Sequence, residues 1–221
     1  MNLLFINDRV GDYQKLIDSS NDNTKYILLQ NQSKADIIRQ VQALSTSNFT
    51  NIGIVQHGGS RITLGQLHLH LGDDINTNEL VILLSELKTT YSVSNIDIIA
   101  CNMLNMWKTT FAEIETLTGL NIRASDDETG NLKWGGDWIQ ESDDVNIKTI
   151  YFNGTIENYD RLLLAYESWG YRRNYQHKPH KSIRSGSVIA WGNDNFGGVP
   201  INNDADSTAL QTDVSNIYST S

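Results

Sequence analysis

Asn51-Ile52-Gly53-Ile54-Val55-Gln56 runs straight into His57-Gly58-Gly59, and Asn95-Ile96-Asp97-Ile98-Ile99-Ala100 runs straight into Cys101, the only cysteine of the chain. Each motif follows a short apolar, β-branched run, the pattern of a buried strand. In an open α/β sheet both residues then lie at the carboxyl ends of parallel strands, where such folds place their ligands. A thiol beside an imidazole is a nucleophile with its proton partner. The Gly-Gly bend lets backbone N–H groups approach a substrate carbonyl, which makes those of Gly58 and Cys101 the candidate oxyanion donors. Taken singly, each residue is bland. A lone Cys after an apolar strand is most often a small buried hydrophobe, and a lone His before Gly-Gly is a turn residue. Their matching positions carry the chemical reading, which requires the two side by side and partly open to solvent.

The elements that must position this pair alternate strand and helix. Strands are expected over residues 3–6, 25–29, 51–56, 95–100 and 120–124. Between them lie helical periodicities over 10–19, after the N-cap Ser33, over 77–91, and along Trp107, Phe111, Ile114 and Leu117 up to Gly119. Such alternation implies βαβ crossovers, hence a three-layer α/β/α domain around a mostly parallel sheet. Residues 62–71 alternate with period two and read as a hairpin, whose exposed face carries His68 and His70. Two imidazoles at that spacing can chelate zinc, but no third ligand is evident, and a solvated face is the simpler reading.

Asp126, Asp127 and Glu128 follow the strand after the Cys101 helix, so they reach the rim of the same crevice. Asp126 and Asp127 can form an acidic pocket for a Lys or Arg of a substrate. The loop also suits Ca²⁺, or a plain Asx-type turn. Further on, residues 132–139 read as a hairpin around Gly135-Gly136, 148–153 as a closing strand and 158–166 as a last short helix that ends the domain. Residues 167–186 read as a linker. Residues 187–221 resemble one incomplete, irregular β repeat of the regulator-of-chromosome-condensation-like propellers, which cannot bury its own face.

A chain of 221 residues with a formal net charge of −9 is ample for one packed domain and is a poor partner for nucleic acid. Excess acid suits a basic substrate. No apolar run reaches the length of a membrane span. The amino terminus lacks a positive flank and a small-residue cleavage site, so a cytoplasmic protein, or one secreted without a signal peptide, is expected. One cysteine excludes an internal disulfide and a thiolate-rich metal site. No glycine-rich phosphate loop follows the first strand, which weighs against nucleotide binding.

The strand-His-Gly and strand-Ala-Cys pair resembles the dyad of the caspase-like (clan CD) cysteine peptidases. Over residues 3–164 the chain also resembles the bacterial domain of unknown function 4347 family, found at the N-termini of large repeat-rich proteins. That resemblance rests on Phe5-Ile6-Asn7-Asp8-Arg9-Val10, His57-Gly58, Ala100-Cys101-Asn102, the run from Ala124 to Asn131, and Gly135-Gly136-Asp137-Trp138. Together the resemblances imply a caspase-like sheet and peptide-bond hydrolysis by Cys101 and His57, without a cofactor. The substrate would be a polypeptide or the chain itself, cut after a basic residue between Arg172 and Arg184. The competing expectation is a non-catalytic module presenting the repeats of a surface or secreted protein. A third is another acyl transfer on the same fold.

Overall fold

The computed structural model describes residues 1–44 and 48–164. The expected linker and β repeat lie outside the described residues. Apolar β-branched runs become strands and the amphipathic stretches between them helices. In chain order these are β1 (Asn2–Asn7), α1 (Tyr13–Asp18), β2 (Thr24–Leu29), α2 (Lys34–Ala43), β3 (Asn51–Val55), β4 (Arg61–Leu64) and β5 (Leu67–His70). There follow α3 (Glu79–Tyr91), β6 (Asn95–Ile99), α4 (Met103–Thr118), β7 (Asn121–Ala124), β8 (Ile139–Gln140), β9 (Val145–Asn146) and α5 (Lys148–Tyr151). Local signals set several boundaries. Ser33 and Asp36 form a capping box that starts α2, and Gly119 closes α4 in the left-handed conformation.

Five strands form one sheet in the order β2-β1-β3-β6-β7, with every neighbouring pair parallel. The chain moves outward from β1 to β2 and then returns past β1 to β3. The connections therefore diverge between β1 and β3, opening a crevice at their carboxyl ends. The register is pinned at the opposite end. β1, β3, β6 and β7 each begin with Asn followed by Leu or Ile, and these asparagines are in register. Asn51 donates to Asn2 (2.8 Å), Asn95 to Asn51 (2.9 Å) and Asn121 to Asn95 (3.1 Å). A slip of one strand would break this ladder and turn its apolar side chains to the wrong face.

Side chains alternate between two apolar layers. Leu3, Phe5, Ile52, Ile54, Ile96 and Ile98 face α2, α3, α4 and the β4–β5 hairpin. Leu4, Ile6, Val55, Ile99 and Cys101 face α1, α5 and the stretch up to Leu163. The hairpin behaves as expected, with Ile62, Leu64, Leu67 and Leu69 buried and His68 and His70 exposed. Among the described residues, no helix is long and apolar enough to cross a membrane.

The region beyond β7 departs from the expected elements. Residues 148–153 are not a strand: α5 forms there, because Ile147 and Tyr151, four apart, are both buried on one face. No hairpin turns on Gly135-Gly136. The Asn131 side chain accepts from Lys133 N and starts a 3-10 turn, Leu132–Trp134, which Gly135 ends at positive φ, and the hairpin is β8–β9 instead. A 3-10 turn also occupies Gly154–Asn158. Residues 159–164 form no helix, because backbone pairing with residues 129–131 replaces the helical hydrogen bonds. Helix α1 starts later than expected, after Asp12 at φ 56°, so Val10 is buried from a turn.

One buried polar group ties α5 to the sheet. Asp97 is fully buried in β6 and receives both Nε (2.6 Å) and Nη2 (2.7 Å) of Arg123, its register partner on β7. The Tyr151 hydroxyl donates to the same carboxylate (2.5 Å). Asp97→Ala leaves the guanidinium buried without its counter-charge, so urea denaturation should show a loss of about 3–5 kcal/mol. A loss below about 1 kcal/mol would show that the network is dispensable.

Candidate active site

His57 and Cys101 sit at the carboxyl ends of adjacent strands, since Val55 pairs with Ile99 and Gln56 N donates to Ile99 O (3.2 Å). Their neighbours fix the two turns. The Gln56 amide donates to His57 O (3.2 Å) and Arg61 O (2.8 Å), while its oxygen accepts from Thr63 N (2.9 Å). From α4, Trp107 Nε1 donates to Gly59 O (2.8 Å). A Cβ on Gly58 would lie 2.2 Å from the Cys101 carbonyl oxygen, so only glycine lets the two strand ends approach this closely. On the other side, Asn102 adopts φ 54° between strand and helix, and its N–H donates to Asp127 O (2.7 Å).

The imidazole of His57 is half-buried, with Nε2 3.2 Å from the Arg9 carbonyl in the turn after β1. Desolvation holds its pKa below the ordinary 6.5, outweighing backbone hydrogen bonds to Arg9 and Leu164 that favour the charged ring. The ring is therefore neutral at neutral pH and able to accept a proton.

Cys101 is 3% exposed. Sγ accepts from Thr129 N (3.2 Å), and the thiol donates to Thr129 O (3.5 Å). Burial pushes its pKa up to about 12, against the Thr129 N–H, while the charges of Glu128 and Asp127 act in the same direction as burial. Expected partial exposure of the sulfur is thus corrected: the thiol is enclosed and protonated, because the chain itself covers it.

The cover is residues 161–163, which pair antiparallel with residues 129–131. Asn131 N donates to Arg161 O (2.9 Å), Leu163 N donates to Thr129 O (2.9 Å), and Gly130 bridges Leu162. Gly136 makes room for this added strand, since a Cβ there would meet Leu162 Cδ2 at 2.4 Å. The Leu163 carbonyl accepts from Gly58 N (3.0 Å) and from Cys101 N (3.3 Å). Two backbone donors from two strand ends converge on one oxygen.

Over residues 3–163 the chain matches a family described as a domain of unknown function, DUF4347. It belongs to that family. No curated protein and no solved structure matches it.

In this DUF4347 domain the sequence-derived candidates are brought together unevenly. His57, Gly58 and Cys101 all meet the 163–164 backbone. Asp126 and Asp127 lie against the start of α4, where Asn105 Nδ2 donates to Asp126 O (3.1 Å) and Asn102 N to Asp127 O (2.7 Å). Ligand oxygens of Asp126, Asp127 and Glu141 lie within 4.8 Å of one another, and desolvation followed by Glu141 raises the Asp127 pKa. His68 and His70 stand apart on the hairpin. Gln56, Trp107, Thr129 and Leu163 escaped sequence reasoning. Gln56 and Thr129 carried a signal, as buried polar residues next to the motifs. Leu163 carried none, because its main chain makes the contacts.

Enclosure has a direct consequence. Alkylation of Cys101 by iodoacetamide at pH 7 should be at least ~100-fold slower in the folded chain than in urea. Equal rates would show that the thiol is open.

Proposed function

We propose that this domain is a caspase-like cysteine endopeptidase or self-processing protease, with Cys101 as nucleophile and His57 as proton carrier. The observation that supports it is the Leu163 carbonyl held by Gly58 N–H and Cys101 N–H. These are the donors an oxyanion needs, and one of them is the N–H of the cysteine itself. In the reaction His57 takes the thiol proton, and Sγ adds to the carbonyl carbon of a peptide bond. The two N–H groups hold the resulting oxyanion. Its collapse breaks the C–N bond, and the same proton leaves on the amine. Water then hydrolyses the thioester, restoring the thiol. Asp126 and Asp127 offer an acidic rim for a basic side chain of the substrate.

One observation favours the rival reading of a non-catalytic module: the thiol is enclosed, and burial pushes its pKa up to about 12. Hydrolysis of a mixed fluorogenic peptide library by the full chain separates the two. Cys101→Ala should abolish turnover and His57→Ala should lower it about 10²–10⁴-fold, with far-UV circular dichroism unchanged. Turnover that persists in Cys101→Ala, or a wild-type chain that neither turns over peptides nor cuts itself, would leave the presenting module as the account.

Acid should silence the site through His57. Its pKa is lowered, so the neutral base is lost only as pH falls below the ordinary value. The acid limb of the rate should have its midpoint below 6.5. A midpoint above 6.5 would assign the limb to another group.

A further inference from the structure

We infer that the first substrate of this site is the bond between Leu163 and Leu164 of the same chain. The inference rests on the peptidase reading above and names its substrate. Peptidases bind extended chains by adding a strand to a protein edge, with main-chain hydrogen bonds giving affinity and pockets giving specificity. Residues 161–163 do this against residues 129–131. Leu162 and Leu163 bury their side chains in the apolar layer beneath α1 and α5, and Arg161 Nε is held by Asp12 (2.8 Å). The carbonyl in the two-amide cradle identifies the bond that would break, because the oxyanion forms on that oxygen. The residue that would carry the leaving amine is Leu164, and its backbone lies against the His57 ring.

Every participant is thus on one chain. Sγ of Cys101 bonds to the Leu163 carbonyl carbon, and the Leu163–Leu164 bond breaks. The thiol proton passes through His57 to the Leu164 nitrogen, and water releases the Leu163 carboxylate from the thioester. The residue before the cut is leucine, enclosed by apolar side chains, so the expected basic cut between Arg172 and Arg184 is replaced by an apolar one. After cleavage residues 161–163 stay joined to the domain and paired with residues 129–131, so the new carboxylate of Leu163 remains in the two-amide cradle.

The test is the intact mass of the full chain after incubation at neutral pH, followed by sequencing of the new ends. The expected products end at Leu163 and begin at Leu164, and both vanish in Cys101→Ala and in His57→Ala. Leu163→Met conserves volume and should still be cut there, whereas Leu163→Asp should not. A Cys101-dependent cut elsewhere, or an intact chain that still hydrolyses added peptides through Cys101, overturns this inference and leaves the peptidase reading. An intact chain that hydrolyses nothing overturns both.

Discussion

Two backbone N–H groups, from the ends of two parallel strands, meeting on one carbonyl oxygen is the constraint on which the rest of this structure depends. It requires β3 and β6 to end at the same level, and the asparagine ladder at their other ends secures that register. It requires glycine at 58, because any Cβ would strike the Cys101 carbonyl. It also requires the His57 turn to be held from outside, which Gln56 and Trp107 accomplish. The divergence of connections lies one strand away, between β1 and β3, where the turn after β1 brings Arg9 O to His57 Nε2.

The 163–164 backbone touches both groups whose acidity is shifted, and its hydrogen bonds oppose both shifts. Burial is the first cause of the high thiol pKa and of the low imidazole pKa, and the 161–164 segment contributes to that burial. The acidic Asp127 is attached through its carbonyl to the N–H of Asn102, the residue after Cys101.

Much of this was legible in the sequence because it is written in local patterns. The alternation of β-branched runs with amphipathic stretches gave the parallel α/β sheet, and the two motifs at strand ends gave His57, Gly58 and Cys101. Patterns failed where tertiary contact overrode local preference. Ile147 and Tyr151 fit a strand or a helix equally, and Tyr151 reaches Asp97 only from α5. The run Leu162-Leu163-Leu164 reads as helical, yet pairs as a strand because Thr129 and Asn131 offer it partners. Enclosure of the thiol was unreadable for the same reason, since it is made by main chain from far along the sequence. The asparagine ladder went unread, because Asn2 and Asn121 do not open the expected strands 3–6 and 120–124 and its meaning needs the register.

The most direct test of covalent catalysis is to let the chain react in hydroxylamine, which competes with water for a thioester. If Cys101 carries the Leu163 acyl group, peptide mapping will find the hydroxamate of Leu163 in place of its carboxylate, in a proportion that rises with hydroxylamine. A new end at Leu163 that stays carboxylate at every hydroxylamine concentration, or the absence of any new end, would contradict the account.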